Sequence, residues 1–158
     1  MSHTDETDPP SWVTGIRQKP HLVVRRPASR HFLTQIGKNS QSRPGDRNTV
    51  ILPSLDITGD IDAINRGDAY VDKERATAWV NHRLWGFHTD SGTAYPIHGE
   101  GLVSLEQNVY SALKKLAEYN GMNARSEEYL RRTPTLSDVE RELVRALWAI
   151  REQARTRE

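Results

Sequence analysis

The sequence contains no cysteine, which excludes a disulfide framework, a thiolate nucleophile and any Cys-ligated zinc centre. Apolar residues are scarce too. Only 35% of the 158 positions are hydrophobic, and the mean hydropathy is -0.74. No stretch approaches the ~20 apolar residues of a spanning helix, so a membrane protein is not expected. The opening Met1-Ser-His-Thr-Asp-Glu has neither a basic n-region nor an apolar h-region, and predicts a cytoplasmic chain without a secretory signal. Gly-x-Ser-x-Gly, Asp-Phe-Gly, the P-loop and the dinucleotide fingerprint are all missing, which argues against serine hydrolase, kinase and nucleotide-binding classes.

Charge is plentiful and segregated. The net charge is only +1. Yet residues 17–47 hold Arg17, Lys19, Arg25, Arg26, Arg30, Lys38, Arg43 and Arg47 against the single acid Asp46. The sign then reverses, with Asp56, Asp60, Asp62, Asp68 and Asp72 facing only Arg66. Clustered Lys and Arg favour a phosphate backbone whatever its base sequence. Arg25, Arg26, Arg30, Lys38, Arg43 and Arg47 are therefore the expected nucleic-acid contacts, with RNA preferred to DNA.

Patterning predicts an α+β fold: a small antiparallel sheet built around a hairpin at about 82–98, packed by C-terminal helices. Residues 1–18 read as a disordered lead before one domain at 19–158, with a basic arm over 19–50 and helices over 104–157. His21–Arg25 and Asn48–Leu52 have the composition of short strands. Asp60 is placed as the cap of a brief helix ended by Gly67, and Asp72 as the cap of another over 73–81. Arg83–His88 and Thr93–His98 flank Thr89-Asp-Ser-Gly92 as hairpin strands. In that register His88 faces Thr93, Gly86 faces Tyr95, Leu84 faces Ile97 and Arg83 faces His98. Pro96 assigns the second strand to a sheet edge, and Trp85, Phe87 and Ala94 form its core side. Ser104-Leu-Glu-Gln107 and Ser137-Asp-Val-Glu140 are capping-box patterns. They open helices with apolar stripes at Leu105, Val109, Ala112, Leu113 and Leu116, and at Val139, Leu143, Leu147, Trp148 and Ile150.

The hairpin gathers the residues with the most chemistry. His82, His88 and His98 lie beside Arg83 and Tyr95. Histidine titrates near neutrality and suits general acid–base work, while arginine offers a fixed cation to a phosphoryl oxygen. Such parts suffice for a metal-independent ribonuclease of the toxin kind, in which the RNA 2′-hydroxyl is the nucleophile and no cofactor is required. The catalytic set is His98, Arg83, His88, Tyr95 and His82, and no metal ligands are assigned. Asp56–Asp62 fails the calcium-loop template, because Ile64 occupies a ligand position. The Gly99-Glu100-Gly101 turn is read as a chain reversal rather than a phosphate cradle. The alternatives are a non-catalytic nucleic-acid-binding or regulatory module, and a protein-interaction subunit that docks through the basic arm or the final helix.

Overall fold

The computed structural model describes residues 9–44 and 48–156. In chain order the strands are β1 Ile16–Arg17, β2 Thr49–Ile51, β3 Tyr70–Asp72, β4 Thr77–Val80, β5 Arg83–Phe87, β6 Ala94–Gly99 and β7 Leu102–Ser104. The helices are α1 Thr58–Arg66, α2 Gln107–Glu118, α3 Ala124–Arg132 and α4 Asp138–Thr156. The architecture is α+β. It divides into two units, each assembled from two separated stretches: 1–28 with 56–102, and 29–55 with 103–158.

The first unit is an antiparallel sheet in the order β1-β3-β4-β5-β6, together with α1. Successive side chains on a strand point to opposite faces. The register therefore places Val71, Ala78, Val80, Trp85, Phe87 and Ala94 on one face, and all six are buried. Ile57, Ile61 and Ile64, at or within α1, supply further buried apolar groups. Pro96 lies on edge strand β6, where its missing N–H removes no ladder bond.

Three local expectations change in this unit. Residues 73–81 form no helix, because Asp72 Oδ1 accepts the Arg75 N–H at 3.0 Å and closes a turn from β3 into β4. The β4 run Thr-Ala-Trp-Val then alternates outward and inward as a strand must. Residues 21–25 make only a bridge from Arg25 to Thr93 instead of a strand. Ile16–Arg17, inside the expected lead, pairs with Val71 and Tyr70 as β1. Gly15 makes this approach possible, since a Cβ there would sit 2.7 Å from the Val71 carbonyl carbon. Residues 1–8 of that lead fall outside the described residues.

Ala76 adopts φ 54° between β3 and β4, a left-handed conformation that costs an L-residue roughly 1–2 kcal/mol. Ala76→Gly is expected to raise stability by about 0.5–1 kcal/mol once the added freedom of the unfolded chain is subtracted. A higher urea midpoint at unchanged slope would register the gain, and an unchanged midpoint would contradict it.

The second unit joins β2, β7 and two short 3-10 turns, Ser29–His31 and Leu33–Gln35, to α2, α3 and α4. Leu105, Val109, Ala112, Leu113 and Leu116 are buried in one cluster with Leu33, Ile36, Val50, Leu130, Leu147 and Trp148. Ser104 does not cap α2. It ends β7, where its hydroxyl lies 3.0 Å from that of Thr49, and α2 begins at Gln107. The Ser137 box does form: Ser137 Oγ accepts the Glu140 N–H at 3.1 Å, and Glu140 Oε1 accepts the Ser137 N–H at 2.9 Å.

The buried face of α4 differs from the expected stripe. Val144, Leu147, Trp148 and Arg151 point inward, whereas Val139, Leu143 and Ile150 are exposed at 79%, 37% and 39%. Arg151 Nη1 donates to the carbonyls of Leu33 at 3.1 Å and Ile36 at 2.7 Å, and its guanidinium lies 4.6 Å from the Trp148 ring centre. Burial pulls its pKa below the ordinary guanidinium range, and the nearby Arg155 charge acts in the same direction.

Candidate functional site

Arg83 emerges from β5 on the inner face and is buried. Its Nε and Nη2 each reach the Asp60 carboxylate of α1 at 2.7 Å. The same carboxylate accepts Trp85 Nε1 and Asn81 Nδ2, both at 2.8 Å. Asp60 is thus a four-bond acceptor inside the unit rather than a helix cap. Asp56 serves the helix start, accepting the Thr58 N–H at 2.9 Å. Arg83 Nη1 donates to the Glu100 backbone carbonyl at 3.3 Å, so the Gly99–Gly101 turn faces this guanidinium. The guanidinium of Arg83 is committed to holding the fold.

The other hairpin residues are carried to the opposite face. Phe87↔Ala94, Gly86↔Tyr95 and Trp85↔Pro96 follow the expected register, but beyond them Leu84 pairs with His98 and Arg83 with Gly99. The extra residue is a β-bulge, which reverses the facing of everything after it. His98 therefore joins Tyr95 and His88 on the outer face, in the row Tyr70–Trp79–Leu84–His98. Without the bulge His98 would share the face of Arg83.

Five rings stand along this outer face with access to solvent: Trp12, Tyr70, His98, Tyr95 and His88. The Trp12 ring is 49% exposed and meets Trp79 edge-on at 5.4 Å and His98 at 6.0 Å. Tyr95 and His88 form a second pair, 5.0 Å between ring centres. Tyr95 lies across Gly86, where a Cβ would collide with its ring; the close approach shields the glycine backbone. Leu84 and His88 are four residues apart on one extended strand, so His98, opposite Leu84, is about 13 Å from His88 at ~3.3 Å per residue. His82 is separate again. It sits with Asn81 in the two-residue turn between β4 and β5, both left-handed at φ 65° and 51°, the geometry of a type I′ hairpin.

The basic residues are spread over both units. Arg25 is exposed, with its backbone held by Gly92 and Ala94 at the tip of the β5–β6 hairpin. Arg26 donates to Thr58 Oγ1 at 3.1 Å. In the second unit Arg30 donates to Gln41 O at 2.8 Å and Asn48 Oδ1 at 2.9 Å, and lies over the Tyr110 ring. Burial pulls the Arg30 pKa down. Lys38 and Arg43 are exposed in the same unit, and Arg47 lies outside the described residues. Among the described residues no group of three or more His, Asp or Glu side chains is arranged to hold a metal ion. No helix there is long and apolar enough to cross a membrane.

Trp12 is the site residue that sequence reasoning passed over, because it stands alone in a polar stretch without periodicity. A large aromatic two residues after Pro9-Pro10 was the available signal. Neither protein-family models, curated proteins nor solved structures return a match to this chain.

Proposed function

We propose that the protein binds single-stranded nucleic acid, RNA in preference to DNA, across the outer face of its five-stranded sheet. The observation that carries this reading is the placement of five accessible rings, Trp12, Tyr70, His98, Tyr95 and His88, on one side of an antiparallel sheet. Every base has a π-face, so stacking on such a surface tolerates sequence. Unpaired RNA bases are available for it, whereas duplex bases are not. Arg17, in the row of Tyr70, and Arg25, beside the hairpin tip, supply exposed cations on the same unit. Asp68 shares the Arg17 charge through an exposed ion pair at 3.4 Å, which a phosphate can compete with.

A cleaving version draws less support. Arg83 is turned to the opposite face, and His88 and His98 stand too far apart to serve one phosphorus as acid and base. Binding needs neither arrangement.

Each base–aromatic stack contributes ~1–3 kcal/mol, so Trp12→Ala is expected to weaken binding of a labelled oligouridine about tenfold. Fluorescence anisotropy reads the change, with circular dichroism as the check on folding. The affinity should also fall steeply with added salt. Equal affinity of the wild type and a Trp12→Ala/His98→Ala double variant would end the proposal. Incubation of RNA with the wild type in EDTA tests cleavage separately; strand scission lost in His98→Ala would restore the enzymatic reading.

A further inference from the structure

Trp85 and Trp79 occupy opposite faces of neighbouring central strands, and only one of the two indole N–H groups is satisfied. Trp85 Nε1 donates to Asp60 at 2.8 Å. Trp79 Nε1 is buried and has no hydrogen-bond acceptor among the described residues. Buried donors are nearly always paired in folded proteins, so an orphan calls for a reason. The Trp79 side chain belongs to the outer face, between Tyr70 and Leu84, with His98 one strand further on. Only 6% of it is exposed. The Trp12 ring stands against it edge-on, with 5.4 Å between ring centres and 86° between ring planes. An aromatic face is at best a weak acceptor, so this contact keeps the N–H dry without replacing a carbonyl.

Trp12 is a cover that can move. It sits in a turn closed by the Val13 N–H on the Pro10 carbonyl at 3.0 Å, ahead of β1. The chain is fastened to β3 from Thr14 onward, through the Thr14 hydroxyl on Asp72 and the pairing of Ile16 and Arg17. Rotation of the Trp12 side chain therefore breaks no ladder bond, and about half of the residue already meets solvent.

We propose that the Trp79 N–H reads the bound strand: it donates to the exocyclic carbonyl of a base that enters beneath Trp12, and uracil is preferred to adenine. This base preference rests on the single-stranded nucleic-acid reading above. Depth selects the acceptor. A carbonyl oxygen projects about 1.2 Å beyond the ring that carries it and can reach a recessed donor. The acceptors of adenine are ring nitrogens, held within its outline. Uracil has two carbonyls and presents one from either of two edges.

Desolvation sets the size of the effect. In the free protein the N–H already lacks water, so the new bond relieves a standing cost instead of exchanging one partner for another. Trp12 then stacks on the outer side of the base, in keeping with the loss expected from Trp12→Ala.

Labelled oligouridine and oligoadenosine of equal length, read by fluorescence anisotropy on the wild type and on Trp79→Phe, test the preference. Phenylalanine keeps an apolar ring and lacks the donor. The variant should bind oligouridine about tenfold more weakly than the wild type does, with little change for oligoadenosine. Self-stacking of the adenine strand cancels, because the same strand meets both proteins. Equal weakening of both strands would overturn the proposal, as would an unchanged affinity for oligouridine.

A second measurement does not depend on the folding of a variant. In the ¹⁵N-labelled wild type, saturating oligouridine should move the Trp79 indole N–H resonance downfield as its hydrogen bond forms. The Trp85 resonance should stay in place, since that N–H is already bonded to Asp60. A Trp79 signal that does not move while oligouridine binds ends the base preference alone. Failure of both strands to bind ends it together with the reading on which it rests.

Discussion

Asp60→Ala is expected to destabilise the first unit by about 3–5 kcal/mol, the usual cost of leaving one member of a buried ion pair without its partner. Removal of the carboxylate strands the buried Arg83 guanidinium and Trp85 indole N–H at once and takes one partner from the exposed Asn81 amide. Arg83→Ala should cost a similar amount from the other side, since it leaves a carboxylate inside apolar surroundings. The paired change Asp60→Leu with Arg83→Met should recover the part of the loss that comes from the unpaired charge, with the buried Trp85 indole N–H still lacking its acceptor. Hydrogen exchange by peptide, compared between residues 56–102 and residues 103–156, will show whether the loss is confined to the first unit. Equal stability of Asp60→Ala and wild type would mean that the carboxylate is not held as described. There is a functional corollary. Loss of activity in Arg83→Ala cannot be read as loss of a phosphate ligand, because the substitution removes the internal anchor of the sheet.

Arg151→Ala should act with comparable force in the second unit. It deletes the donors to Leu33 O and Ile36 O, each buried acceptor costing about 1–3 kcal/mol when left unpaired. It also opens a cavity against Trp148, so a total of about 3–5 kcal/mol is expected. Arg151→Met separates the two contributions: it retains contact with the Trp148 ring and leaves the carbonyls unpaired, and should fall about midway. A tolerated Arg151→Ala would show that water reaches the two carbonyls and replaces the guanidinium. Urea denaturation followed by the same peptide-resolved exchange distinguishes these outcomes.

Local signals were legible where one residue type dictates one geometry. Ser137 and Glu140 define the start of α4 reciprocally, and Gly67 ends α1 in the left-handed conformation at φ 95°. The aliphatic stripe of α2 is buried as its 3.6-residue period predicts, and Pro96 lies at an edge. Errors arose where two solutions share the same local pattern. Ala76, Trp79 and Val80 suit a helix face as well as a strand, and the deciding turn uses Asn81-His82 rather than the familiar Asn-Gly. On α4, Leu147 and Trp148 belong to the buried face with Val144 and Arg151, yet they also extend the exposed line through Leu143 and Ile150. A buried arginine on the inward face hid which alternative was right. The expected site suffered from one inserted residue. The bulge near Leu84 and Trp85 sends His98 to the face of Tyr95 and His88 and leaves Arg83 behind, and no side chain in the strand announces it.

The interleaving of the two units has a consequence for synthesis. The stretch 29–55 is translated before 56–102, but its apolar residues Leu33, Ile36 and Val50 pack with residues from α2 and α4. At roughly 5–20 residues per second, the ribosome needs about 3–11 s to carry the chain from residue 102 to residue 158. During that interval the nascent chain can close its first sheet while a greasy loop projects from it unsatisfied. A slow codon run across residues 103–156 would prolong the exposure, and a chaperone that grips short apolar segments would have its window there.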